Sequence, residues 1–348
     1  MRIFIATCAL ALGIPTLGTL HAAPAEKTLP AEQQSKGKKA PAGPRLGVKT
    51  PGVLIPYALL KTEAELPEPG KPAWMFFSES LYVPGRDSIE KINAKTNKPG
   101  DPIAGVNQPC SGMISAFKSL WVASCANKTV LRIDPKTAKI TNTVESGVGS
   151  AFGGLAASGD SVWILSDDKV TLSRIDPDQN AVVGELRLPV GCKDLTFGET
   201  ALWVACPDQN QVLRINVATS LVETAIDVSA TPQAIAIGDA SIFVFCKKDG
   251  KVDRIDPKTN KVIKTIDLEV PGLDGSIAFG EGSLWVSQTG YPITRINTTL
   301  EKEKVMQQFH GDAGGAIITS AGALWMSDFT SGKLLRIDPK RVIATLAE

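Results

Sequence analysis

The chain has 348 residues, with 37 Lys and Arg against 36 Asp and Glu and a formal net charge of +1. That balance argues against a nucleic-acid partner, because phosphate binding needs a clustered basic excess. No apolar stretch beyond the first two dozen residues approaches the length of a membrane span, which argues against membrane insertion.

Met1-Arg2-Ile3-Phe4-Ile5 opens an apolar run that reaches Leu20 and then His21-Ala22-Ala23. A basic start, a short apolar core and small residues at its end predict a secretory signal peptide over 1–23, with Cys8 inside the removed part and a periplasmic or secreted product. Residues 24–52 are rich in Lys, Pro, Ala, Gly and Gln and poor in large apolar side chains. Such a segment buries too little surface to offset its ordering entropy, so it reads as a flexible tether. The remaining residues, 53–348, suffice for one large core.

That remainder is periodic. Tyr82, Trp121, Trp163, Trp203, Phe243, Trp285 and Trp325 each sit in a short apolar run, at intervals of 39 to 42 residues. About a dozen residues after each comes a basic-Ile-Asp/Asn triplet, from Lys91-Ile92-Asn93 to Arg336-Ile337-Asp338. A period near forty with several short β-prone runs is the sequence mark of propeller blades. Residues 191–228 show the unit: Asp194–Phe197 and Ala201–Ala205 flank the tight turn Gly198-Glu199-Thr200, and Val212–Ile215 and Leu221–Val228 follow. Turns such as Asp134-Pro135-Lys136-Thr137 place a capping Asp before a Pro pre-set for the first turn position. The predicted fold is all-β, a seven-bladed β-propeller with four-stranded antiparallel blades. The aromatics are expected to wedge between blades and the triplet Arg residues to pair with Asp side chains or backbone carbonyls, since symmetric positions serve symmetric packing. Leu59–Leu66 is expected to close the ring as an outer strand of the last blade; Val342–Leu346 competes for that place.

Units such as Ser283-Leu284-Trp285-Val286 followed by Thr294-Arg295-Ile296-Asn297 resemble the YVTN-type and virginiamycin B lyase-like seven-bladed propellers, over about residue 57 to the C-terminus. Members of such families include antibiotic lyases, non-catalytic heavy subunits of quinoprotein amine dehydrogenases, and exported proteins. The resemblance therefore implies three readings: a binding or interaction scaffold, a lyase or hydrolase on a cyclic ester or acidic sugar, and a quinoprotein dehydrogenase subunit. The lyase mechanism needs a catalytic histidine with metal-associated acidic and histidine residues, whereas beyond the signal this chain holds only His310.

Residues that break the symmetry near the channel are the places to look. Cys110 and Cys125 flank one predicted hairpin and Cys192 and Cys206 another, so each pair falls opposite across its hairpin and two disulfides are expected in an exported protein. Cys246 faces Pro232 and is expected to be a free thiol. His310, Tyr291 and Lys193 are the candidate catalytic groups, as base, acid and charge stabiliser. Trp74, Arg86, Asp194, Gln233, Asp274 and Asp312 are the candidate binding residues on the rim. Asp194, Asp274 and Asp312 are candidate ligands for Ca or Mg at the channel mouth, although no recognised ligand spacing or resident cofactor motif is present. The expected ligand is a small molecule, glycan or peptide at the channel face, or a partner protein, bound to a monomer.

Overall fold

In a computed structural model the described residues are 46–149, 154–166 and 171–345. The predicted signal segment and the tether up to residue 45 lie outside them. Seven antiparallel sheets follow one another along the chain. Their inner strands neighbour each other in sequence order, and that of blade seven (Ile317–Ser320) meets that of blade one (Phe76–Ser78), so the ring is closed. The fold is a seven-bladed β-propeller of four-stranded blades, as the periodicity predicts.

Blade four shows how the sequence dictates a blade. Its inner strand Lys193–Gly198 pairs with Ala201–Cys206, then Gln211–Asn216, then Leu221–Asp227. The second strand, Ala-Leu-Trp-Val-Ala-Cys, is buried along its whole length because neighbouring blades cover both faces, so it reads as a continuous apolar run. The outer strand is mostly exposed and alternates. Glu199 and Thr200 both take positive φ in the connecting turn, the geometry that matches hairpin twist.

The repeated aromatics are buried to 3 % exposure or less. Trp121, Trp203 and Trp285 donate their indole N–H to Ala116, Gly198 and Gly280 carbonyls at the preceding turn, so each ring anchors its own hairpin. The triplet arginines do two jobs. Arg132, Arg214 and Arg336 lie over Trp121, Trp203 and Trp325, and each donates to a carbonyl and an Asn in the outer turn of the next blade: Pro177 and Asn180, Pro257 and Asn260, Ala94 and Asn97. The third triplet residue caps that turn, as when Asp134 accepts from the Lys136 and Thr137 amides. Aromatic, Arg and Asp thus form one blade-to-blade fastener.

The ring closes through the N-terminal strand. Ala64–Pro67 pairs antiparallel with Lys333–Ile337 as the outer strand of blade seven, while Pro339–Ala344 turns into a short helix. A second join was not legible in the sequence. Leu54–Pro56 runs parallel to Lys304–His310 and adds a fifth strand to blade six, with Ile55 fully buried. Ahead of it, residues 46–49, which composition groups with the tether, lie against blades five and six: Gly47 donates its amide to Glu269 O, and Val48, itself buried, donates to Gln308 Oε1 at 2.8 Å.

Candidate functional site

The seven inner strands enclose a channel of about 610 Å3. The strand register aligns Met113, Leu155, Leu195, Ile235, Ile277 and Ile317 opposite equivalent residues of their second strands, and with Met75, just ahead of the inner strand of blade one, this apolar set lines the channel from every blade. The position just before each is Trp74, Gly112, Gly154, Asp194, Ala234, Ser276 and Ala316. Five blades therefore keep a small residue there. Blade one presents an indole and blade four a carboxylate.

Asp194 sits in a β-bulge between Lys193 and Leu195 and takes φ of +55°, a conformation uncommon for any residue but glycine, Asn and Asp. Its carboxylate accepts the amide of Leu195 at 3.1 Å and, across the blade boundary, the amide of Ile235 at 2.6 Å. Desolvation pushes its pKa up to about 6, against the downward pull of these two hydrogen bonds. The side chain nonetheless remains part of the channel wall.

Nearer the rim, Asp274 accepts from Lys247 Nζ at 2.7 Å and from Gln233 Nε2 at 3.1 Å. These bonds, Lys247 first, hold its carboxyl below the usual carboxylate range, with Lys193 adding a smaller effect of the same sign. Gln233 then leaves Oε1 buried without a donor among the described residues. Lys247 comes from the loop after a second strand and Asp274 from the entry to an inner strand, so those two loops meet on one face. Lys247 is not among the candidates read from the sequence. Its partner is 27 residues away on the next blade, and only the blade-to-blade register brings the two together.

The other candidates are spread out. Trp74 is half-buried and lines both the channel and an adjoining cleft of about 280 Å3 that includes Arg86. The Arg86 side chain is 95 % exposed, with Asp87 at 3.8 Å. Tyr291 opens the third strand of blade six and donates its hydroxyl to Leu46 O at 2.6 Å. His310 ends the outer strand of the same blade, opposite Pro56 of the added strand. Neither lines the channel, so Tyr291 and His310 do not converge with Lys193. Asp312 is exposed beyond that strand and does not line the channel either. Asp194 is bonded to amides and Asp274 to Lys247, and among the described residues no group of three or more His, Cys, Asp or Glu is placed to hold a metal ion.

Both predicted disulfides are present, Cys110–Cys125 and Cys192–Cys206. The bulge at Asp194 is what puts Cys192 in line with Cys206, since it shifts the register by one residue. In blade two a larger bulge between Cys110 and Met113 sets Cys110 opposite Ala123, so that bond crosses the hairpin diagonally. Cys246 is a buried free thiol opposite Pro232. Burial, with Asp253 and Asp249 nearby, pushes its pKa far up and makes it inert as a nucleophile.

No protein-family model matches the chain, and no curated protein matches it. Solved structures do. The chain is similar to a streptogramin B lyase structure (TM-score 0.64, 17 % identity, covering 78 % of this chain and 94 % of that one). It is also similar to a chain of a mitotic checkpoint complex (0.69, 13 %, 90 % and 99 %) and to one of Kuenenia stuttgartiensis hydrazine synthase (0.55, 14 %, 65 % and 75 %). At these identities the likeness establishes the fold, and the resemblance to the virginiamycin B lyase-like propellers holds at that level.

Proposed function

We propose that this chain is an exported binding propeller that holds a small molecule, glycan or peptide, or a segment of a partner protein, at its channel face. The observation that carries this reading is the unequal lining of an otherwise repetitive channel. Trp74, Asp194, Gln233 and Asp274 depart from the small or apolar residues of the other blades and gather around one opening, where polar groups can orient a ligand against apolar walls. Two disulfides support an oxidising compartment. A thermal-shift screen of the purified chain against sugars, peptides, small ions and metals tests the reading, because a ligand that binds only the native state raises the midpoint. A blank screen, together with unchanged midpoints for substitutions at Gln233 and Asp274, overturns it.

A second reading, a lyase acting on a cyclic ester or acidic sugar, draws support from the fold shared with the streptogramin B lyase structure. It requires the acid, base and charge stabiliser to meet, and Tyr291 and His310 instead stand at the edge of blade six while Lys193 lines the channel. Such a lyase would need other groups, with Asp194 and Asp274 the nearest at hand.

A further inference from the structure

The channel wall offers acceptors for which the described protein supplies no donor. Asp194 is a carboxylate in an apolar surround, tied only to backbone amides. No described cationic side chain forms an ion pair with it: the charge of Lys247, and part of that of Lys193, falls on Asp274 at the rim. Gln233 Oε1, on a neighbouring side chain, is buried and accepts nothing from the described residues. The two are close in the fold, because Ile235, whose amide Asp194 holds, lies two residues along the same strand from Gln233. The amide of Gln233 is fixed in orientation by its bond to Asp274, so its oxygen, not its nitrogen, is the unmet atom. Across the ring Trp74 faces the same cavity from blade one.

A half-buried, desolvated carboxylate without a counter-charge among the described residues and a buried oxygen without a donor there each cost free energy, and both costs are relieved by one kind of ligand group. Anions and neutral acceptors relieve neither. We propose that the channel takes an organic cation, a primary ammonium on an apolar body, with Asp194 as counter-charge, Gln233 Oε1 as second acceptor and Trp74 with the leucine and isoleucine ring against the body. This rests on the channel being a binding site and names the chemistry it selects. An indole face attracts a desolvated ammonium as well as apolar surface, which adds to the same preference.

The proposal is tested by titration calorimetry of the purified chain with benzylammonium, benzyl alcohol and phenylacetate, three probes of similar shape and different charge. Benzylammonium is expected to bind at least about tenfold tighter than the other two at pH 8, and to weaken about tenfold at pH 5, where a carboxylate titrating near 6 is mostly protonated. The charged groups nearest that carboxylate in the fold are Lys193 on its own strand and Lys247 and Asp274 on the next blades, where Lys247 holds the Asp274 carboxyl below the usual carboxylate range. Asp194→Asn is expected to abolish both the charge preference and the pH dependence while benzyl alcohol binding persists. Should Asp194→Asn fail to fold, Trp74→Leu decides with the wild-type pH profile: weaker benzylammonium binding, with the pH dependence intact, is expected. Equal affinities for the three probes, or tighter phenylacetate, overturns the cation assignment and leaves the channel as a site. No binding of any probe, with a blank thermal-shift screen, overturns both.

Discussion

The outer edge of blade six and the channel mouth each collect residues that break the seven-fold pattern, and they differ in what meets those residues. At the edge, Tyr291, Gln308 and Glu269 are met by residues 46–49 of the same chain, through Leu46 O and the amides of Gly47, Val48 and Lys49. At the mouth, the carboxylate of Asp194 and Oε1 of Gln233 have no side-chain donor among the described residues. Departure from symmetry is therefore not by itself a sign of function. Departure with polar atoms left unmet is the more discriminating sign, because a folded chain ordinarily pairs its buried polar groups.

The comparison can be broken from either side. The largest expected effect is at the edge: Ile55→Ala opens a cavity under the added strand and is expected to cost about 4 kcal/mol, read by denaturant unfolding, with little change in probe binding at the channel. Next comes the mouth. The folded-state pKa of Asp194, about 6, lies above its ordinary value of 3.8, so the folded state holds the proton more tightly. Its contribution is fully present below pH 4 and is lost as pH rises to 6, a change on the order of 3 kcal/mol that is absent from Asp194→Asn when the two are unfolded at matched pH. A wild-type profile no steeper than that of the variant would place Asp194 in water and undo the contrast.

Gln308→Ala follows, since it strands the Val48 amide and the Leu268 carbonyl in a buried place; about 2 kcal/mol is expected, measured by the same unfolding. Tyr291→Phe removes one hydrogen bond to Leu46 O and is expected to cost about 1 kcal/mol with channel binding unchanged. The smallest effect is Lys247→Met. Its ion pair with Asp274 is largely exposed, so stability is expected to change by less than about 1 kcal/mol, while the Asp274 carboxyl, followed by NMR titration, moves back toward the ordinary range.

The seven blades, their turn caps and both disulfides were legible because each is local: an aromatic, an Arg and an Asp within fifteen residues, or two Cys across one hairpin. Even there the bulges at Ser111-Gly112 and Asp194 altered which residues face each other, and bulges leave little trace in a pattern of apolar residues. The site was legible in part. Asp194, Gln233 and Asp274 stood out as unequal rim residues, but the bonds that link them run between blades, some forty residues apart. The two candidates set away from the channel share one circumstance. Tyr291 and His310 differ from their counterparts because an arm about 250 residues earlier packs on their blade, and the strand in that arm is only Leu-Ile-Pro. Three residues carry too little periodicity to announce a strand.

Closure through Ala64–Pro67 has a consequence for how the molecule comes into being. Ala64 pairs with Arg336, so the first strand of the ring waits for nearly the last one to be synthesised. Blades two to five can each form from neighbouring residues as they emerge, yet blade seven is incomplete until both ends of the chain meet. Contacts of such long sequence separation slow folding, and until they form blade seven's third strand, Lys333–Ile337, lacks its edge partner. A chain stopped after residue 332 would lose the whole strand Lys333–Ile337 that receives the closing one, and is expected to remain an open, aggregation-prone arc rather than a slightly smaller ring.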